Sequence, residues 1–335
     1  MGTIRNISDL AVMAGVSPGT VSRALADSPL ISAKTRERIQ AIAREHDFRP
    51  NAVARNLRTQ RTGAIGVVIP LGHETGQHIS DPFFMTMLGL LADSLTERGY
   101  DLLLSRIIPS DPQWLSRMAS SGRVDGLIII GQSDQAATLD AVAARYRPLV
   151  VWGGHVEGQV HCSVGSDNRL GGEIATAHLI ARGARRIAFF GDPRAREIAQ
   201  RLEGCRAAMA AAGLSHALQL FPTHLVADTS HADIVRFLGE QGKDGIDGIV
   251  AASDVIASSA LRAMVSLSLH APDDIRVIGY DDLPIARQTL PRLSTIRQEL
   301  TAGADALVDL LFRRIGGEDC ASFVMPPKLI VRHST

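Results

Sequence analysis

Pro18, Gly19, Thr20, Ser22 and Arg23 form the first group in this chain whose types and spacing could do chemistry. Hydroxyls beside one guanidinium suit hydrogen bonding to phosphate oxygens, and an arginine can pair bidentately with the edge of a guanine. Two other formal motifs fail on context. GVSPG at 15–19 fits GxSxG, but a nucleophile elbow needs a preceding strand and this serine follows a helix. HETGQH at 73–78 has one residue too many for the HExxH spacing that puts both histidines on one helical face. The chain has no Walker lysine loop and no GxGxxG, and GGHVEG at 153–158 has the wrong glycine pattern.

The outward set must be held by helices. Asn6 is suited to cap a first helix, on which Ile7, Leu10, Ala11 and Ala14 share a face. Gly15 allows the chain to leave that helix, Val16 is the apolar residue of a short turn, and Ser17 followed by Pro18 signals the start of a second helix. Val21, Ala24 and Leu25 make its buried face. A third helix is expected from Ser32 toward His46 through Ile39, Ile42 and Ala43. This is a helix-turn-helix head with a core too small for much besides presenting a surface.

Charge separates the head from the rest. The chain has 35 basic and 35 acidic residues, but residues 1–61 hold ten Lys or Arg against five acids, which leaves 25 against 30 beyond. A +5 head gains affinity for polyanions by counterion release, whereas a −5 body repels them.

After Arg61 short apolar runs alternate with amphipathic stretches, the pattern of parallel sheets covered on both faces. Strands are expected at 65–69, 101–105, 126–130, 149–152, 186–190, 248–252 and 276–279, and helices at 83–98, 170–181, 198–212, 254–267 and 302–315. Two such series predict an α/β body of two similar lobes with ligand groups at the carboxyl ends of the strands. Cys162, Cys205 and Cys320 lack metal-ligand spacing and are expected as buried thiols. No stretch is long and apolar enough to span a membrane and no signal-peptide core opens the chain, so a cytoplasmic protein is expected.

AGVSPGTVSRAL at 14–25, RPNAVARNLR at 49–58, TGAIGVVIP at 62–70, DPFF at 81–84, RVDGLIII at 123–130, RLEG at 201–204, VIGYDD at 277–282 and STIRQ at 294–298 carry, in order, a resemblance to the LacI/GalR family over essentially the full length. The resemblance implies a homodimer whose heads read a near-palindromic double-stranded operator, joined to a bilobal, periplasmic-binding-protein-like effector domain of two doubly wound parallel sheets. The implied organisation is a DNA-binding head at 1–48, a hinge at 49–61, and an effector domain at 62–335. Its N-lobe is expected at about 62–164 and 295–318, its C-lobe at about 165–292 and 320–335.

The family hinge folds where two copies meet in the minor groove, with Leu57 at the position wedged into a base step and Asn51 and Ala54 among the contacting residues. In isolation a helix this short is marginal. By the same resemblance Pro18, Gly19 and Arg23 face base edges, and Ser17, Thr20, Ser22, Ser32, Thr35 and Asn51 face phosphates. Pro18 and Gly19 have no hydrogen-bonding side chains, which leaves Arg23, DNA shape and the central step to carry specificity.

In the effector cleft the family's ligand positions fall on Arg201 and Asp281, a cation opposite a carboxylate, suited to vicinal hydroxyls. Asp81, Phe84, Trp152, Ser253 and Gln298 could complete the site. Each has a plainer role open to it: Asp81 as a helix cap, Trp152 as lobe core, Asp281 as a turn cap. The LGHETGQHIS segment at 71–80 is longer and richer in histidine than the family's usual connection; it either narrows effector choice through His73, Glu74, Gln77 and His78 or is a surface loop. The expectation is a repressor of carbohydrate genes released by an uncharged mono- or disaccharide, with no metal and no cofactor. The alternatives are a corepressed regulator and a sugar-processing enzyme with a DNA-binding head.

Overall fold

The head folds because each helix start carries its own cap. In the computed structural model, which describes residues 6–48, 61–72, 75–241 and 245–335, α1 spans Ile7–Ala14, α2 Pro18–Leu25 and α3 Ala33–Glu45. Asn6 Oδ1 accepts from the amides of Ser8 and Asp9 at 2.8 and 3.0 Å. Ser17 Oγ accepts from Thr20 N at 3.2 Å, and Ser32 Oγ from Thr35 N at 3.3 Å. Gly15 ends α1 at φ 62°, the left-handed conformation that glycine adopts without penalty. Leu10, Ala11, Ala14, Val21, Ala24, Ile39 and Ala43 form the core, with Leu25 only half-buried at its edge. α3 is tied to both partners by polar contacts. Arg38 Nη2 donates to Ala14 O at 2.8 Å and Gln40 Nε2 to Ala24 O at 3.1 Å, satisfying carbonyls at the ends of α1 and α2.

Met1–Thr62 and Gly63–Thr335 are separate compact units. The second holds two six-stranded sheets. The strands are β1 Ala64–Pro70, β2 Asp101–Ile107, β3 Gly126–Ile130, β4 Leu149–Trp152, β5 Cys162–Ser166, β6 Ile187–Phe190, β7 Leu218–Phe221, β8 Gly248–Ala251, β9 Arg276–Asp281, β10 Ser294–Arg297, β11 Phe323–Met325 and β12 Lys328–Ile330. The helices are α4 Pro82–Glu97, α5 Trp114–Ala119, α6 Ala136–Ala143, α7 Asn168–Ala181, α8 Arg196–Ala211, α9 Ala227–Gln241, α10 Asp254–Ser266 and α11 Leu300–Ile315.

The N-lobe sheet runs β11-β5-β4-β3-β1-β2 and the C-lobe sheet β12-β10-β9-β8-β6-β7. Every pairing is parallel except β10 with β12. β3 and β4 are buried at every residue, which is why they appear in sequence as unbroken apolar runs. The three cysteines are free and buried, and burial pushes the Cys205 thiol up to about 11. Among the described residues no helix is long and apolar enough to cross a membrane.

The lobe boundaries differ from the expected ones. β5 continues the N-lobe to Ser166. Ser294–Arg297, expected in the N-lobe from 295, is instead β10 of the C-lobe, in parallel register with Ile278–Asp281. The chain then crosses so that α11 packs Leu300, Ala304, Leu307, Val308 and Leu311 into the N-lobe core. β11 rejoins the N-lobe sheet beside β5, and only β12 returns to the C-lobe. Strands of three or four residues without an apolar run carry no periodic signal, so their sheet is decided by long-range pairing alone.

Candidate effector cleft and DNA-reading face

On the head, Ser17, Pro18, Gly19, Arg23 and Ser32 are exposed, while Thr20, Ser22 and Thr35 are half-buried. The hydroxyls come as two pairs, Ser17 with Thr20 and Ser32 with Thr35, each 2.9 Å apart at the first turn of a helix. Oriented amides and hydroxyls there favour anionic groups. Arg23 Nε donates to Gly19 O at 3.2 Å, so its guanidinium lies back along α2 toward the helix start. Asn51, Ala54 and Leu57 lie outside the described residues, as do His73 and Glu74.

Between the lobes lies a cavity with about 760 Å³ of open space, and Asp81, Phe84, Trp152, Arg201, Ser253, Asp281 and Gln298 all line it. The doubly wound topology explains the convergence: Trp152 ends β4, Asp281 ends β9, Gln298 directly follows β10, and Ser253 lies two residues past the end of β8. α4 presents Phe83 and Phe84 from its first turn, and α8 presents Glu197, Ile198 and Arg201. Gln77 also lines the cavity, whereas His78 is exposed and outside it. Arg106 holds the incoming segment by donating to the carbonyls of Thr75 and Gln77 at 2.8 and 3.2 Å.

Several of these residues serve structure and cavity together. Asp81 caps α4 through Phe83 N at 2.8 Å and accepts from Gln77 Nε2 at 3.0 Å, and burial raises its carboxyl above the ordinary range. Ser253 caps α10 through Ile256 N at 3.2 Å. Trp152 belongs to the N-lobe core, with Gly303 so close that a Cβ there would stand 2.3 Å from the indole. Phe83 lies 6.4 Å from Trp152, ring to ring, and extends the aromatic wall.

Arg201 is buried. Its Nε donates to Asn168 Oδ1 at 2.9 Å, Nη1 donates to Ala252 O, and the guanidinium carbon lies 3.6 Å from the centroid of the Tyr280 ring. Asp281 sits at φ 113° and accepts from Gln298 Nε2 at 2.7 Å. Burial pushes its carboxyl up to about 7 despite the opposing influence of Arg201 and Gln298.

Sequence reasoning missed the layer behind these residues. Asp254, fully buried, accepts from Thr295 Oγ1 at 2.6 Å and from Leu283 N at 2.7 Å, and burial together with Asp281 holds its carboxyl well above the usual range. Its position just after the Ser253 cap was the available signal. Also missed was a seam across the cleft. Glu197 Oε1 accepts from Gly154 N at 3.3 Å and Gln200 Nε2 donates to His155 O at 2.9 Å, which docks the first turns of α8 on the loop after β4. The glycine of RLEG has a packing reason: a Cβ on Gly204 would lie 1.9 Å from Arg169 O, so α7 and α8 meet backbone to backbone.

Residues 6–51 match the bacterial regulatory proteins of the lacI family, and residues 176–335 match a periplasmic binding protein-like domain. Over 337 residues the chain is 31% identical to the HTH-type transcriptional regulator CelR of Thermobifida fusca, covering 97% of this chain and 96% of that protein. A solved transcriptional regulator CelR–cellobiose complex superposes with a TM-score of 0.69 at 28% identity, over 99% of this chain and 100% of that one. The lac repressor dimer bound to operator and the anti-inducer ONPF shares the fold, with a TM-score of 0.83 at 24% identity and 98% coverage of each chain. With a capped helix-turn-helix head and a two-lobed body that holds a cleft, the chain belongs to the lacI family of bacterial regulatory proteins.

Proposed function

We propose that this protein is a repressor of carbohydrate-utilisation genes that binds a palindromic operator as a homodimer and is released when a saccharide fills the cleft. The observation that carries the reading is the meeting of a cation, three carboxyls and an aromatic wall in one interlobe cavity. Carboxylates accept from sugar hydroxyls, amide and serine groups fix orientation, and Phe84 and Trp152 offer flat apolar surface to the sugar's C–H face. The cellobiose bound by the CelR structure supports the same ligand class. On the DNA side, Arg23 supplies the base contact, the Ser17–Thr20 and Ser32–Thr35 pairs supply phosphate contacts, and the 49–61 hinge with Asn51, Ala54 and Leu57 reads the operator centre. The protein acts by binding and carries out no turnover.

Effector action requires a difference in affinity between two conformations, and by linkage operator must weaken saccharide binding by the factor that saccharide weakens operator binding. The test is fluorescence anisotropy of the purified protein on DNA from beside its own gene, at fixed salt, with and without a sugar panel. Release by one sugar supports the reading, and Arg201→Ala should keep operator binding while losing the response. Tightening by a sugar would mean corepression, and turnover of the bound sugar would revive the enzyme alternative.

A further inference from the structure

We infer that the cleft admits an unphosphorylated saccharide and rejects its phosphate ester, so that the signal this protein senses is the sugar before any phosphoryl transfer to it. This deepens the saccharide reading above and rests on it. Three independent features of the cavity point the same way.

The first is its charge. Among the described residues that line it, the ionisable side chains are the carboxyls of Asp81, Glu197 and Asp281 and the single guanidinium of Arg201, with no lysine and no histidine. A fourth carboxyl, Asp254, lies directly behind Asp281. The carboxyls already crowd one another, since Asp81 and burial together oppose ionisation of Asp281. A phosphate dianion would join them.

The second is the state of the cation. Phosphate recognition by arginine uses the parallel N–H edge of the guanidinium. In Arg201, Nε is directed to Asn168 and Nη1 to the carbonyl of Ala252, with Tyr280 against one face. The amide donors are committed too: Gln77 to Asp81 and Gln298 to Asp281.

The third is the helix ends. Three helices begin at the cavity, α4, α8 and α10, and free helix N-termini are ready-made phosphate sites. α8 has no side-chain cap but carries the Glu197 carboxyl in its first turn, and α4 and α10 are closed by their own side chains. Asp81 occupies the start of α4 with a carboxylate at Phe83 N, and Ser253 occupies the start of α10 at Ile256 N. Hydroxyls, in contrast, can donate to every carboxylate in the site.

The reaction classes on either side follow. The ligand must arrive by uptake without phosphorylation or by hydrolysis of a glycoside. It is consumed by transfer of a phosphoryl group from a nucleoside triphosphate to a sugar hydroxyl, which yields the ester and a nucleoside diphosphate. That product no longer fits, so the signal ends at the step that commits the sugar to metabolism.

The experiment is operator release by the full chain, titrated with matched pairs: glucose and glucose 6-phosphate, cellobiose and its 6-phosphate. One carboxylate about 6 Å from a phosphate charge weakens binding by about 100-fold at the effective dielectric of a protein site. The neutral member of a responding pair is therefore expected to act at concentrations about 100-fold lower. Release by the ester at an equal or lower concentration overturns the inference while leaving the saccharide reading intact. Silence toward both members of every pair counts against the saccharide reading and takes this inference with it. In Glu197→Gln, which keeps an oxygen to accept from Gly154 N, the gap should narrow at least several-fold, and an unchanged gap would overturn the charge argument.

Discussion

Gly204→Ala probes the contact that positions the cavity-lining residues of α8. The added Cβ would stand 1.9 Å from Arg169 O and 2.7 Å from Glu173 N, both backbone atoms of α7, where real Cβ atoms essentially never come within 3.0 Å. The helices must part by at least about 1.1 Å, since no rotamer change relieves a backbone contact. Gly172 makes the reciprocal approach, its own Cβ position lying 2.0 Å from Arg201 O, so the separation acts directly on the residue that carries the guanidinium. Overpacking of this kind costs about 1–3 kcal/mol, and the upper end applies where nothing flexible can yield. At about 2–4 °C per kcal/mol for a unit of this size, Tm should fall by roughly 6–12 °C. Arg201 would also be drawn from Asn168 and Tyr280, and the sugar response should weaken by at least about tenfold, equivalent to about 1.4 kcal/mol. Gly89→Ala, exposed on α4 with no atom within 4 Å of its Cβ position, serves as the control and should leave Tm unchanged or raise it slightly. Thermal unfolding followed by circular dichroism, with anisotropy for the response, reads both effects. A Gly204→Ala protein with unaltered Tm and unaltered response would refute the claim that helix approach sets the geometry of the cleft.

Asp281→Asn should change how stability depends on pH. A carboxyl raised from 3.8 to about 7 stabilises the fold fully at low pH and loses that contribution as pH rises through the folded value, so the wild type should weaken between about pH 4 and 7. The substitution keeps an oxygen to accept from Gln298 and tolerates the positive φ, and it should flatten the profile by up to about 4 kcal/mol; a wild-type-to-variant difference in unfolding free energy that is the same at pH 5 and pH 8 in urea titrations would contradict the raised carboxyl. Arg23→Lys keeps the charge but loses the planar fork. Operator affinity should drop by the roughly 1–3 kcal/mol of a bidentate base contact with the salt dependence unchanged, and an unaltered affinity, as expected where only the charge matters, would make Arg23 a phosphate contact.

The head was legible almost to the residue because its signals are local. Asn6, Ser17 and Ser32 each satisfy an amide two or three positions ahead, and Gly15 needs only its own backbone. In the body, β3 and β4 were read at their observed limits since burial on both faces leaves an apolar run. β5, CSVGS, is equally buried but built of small and polar residues, and β7, β10, β11 and β12 are three or four residues long. α5 and α6 are short, and α9 is rich in polar residues, so none gave a sustained apolar stripe. What decides these elements is pairing with segments as far apart as Cys162–Ser166 and Phe323–Met325, and sequence distance of that order leaves no pattern in either partner.

The cleft divides along the same line. Residues that line the cavity lie in recognisable motifs, but what those residues do depends on neighbours from elsewhere in the chain. Arg201 was expected as a donor to the ligand, yet it also gathers Asn168 at the start of α7, Ala252 after β8 and Tyr280 of β9. A ligand that draws on Arg201 or Asp281 thus bears on three elements of the C-lobe at once. The same helix carries Glu197 and Gln200 to the loop at Gly154 and His155 in the N-lobe. Occupancy can change the affinity for operator only through contacts that differ between two lobe arrangements. The seam between α8 and that loop is such a contact, since its hydrogen bonds exist only while the lobes are close. The glycines are what permit it: a Cβ on Gly154 would lie 2.2 Å from Gln200 Oε1 and one on Gly153 2.5 Å from Glu197 Oε1. A side chain at either position would displace the end of Gln200 or Glu197 and so break the seam's hydrogen bonds, whatever occupied the cavity.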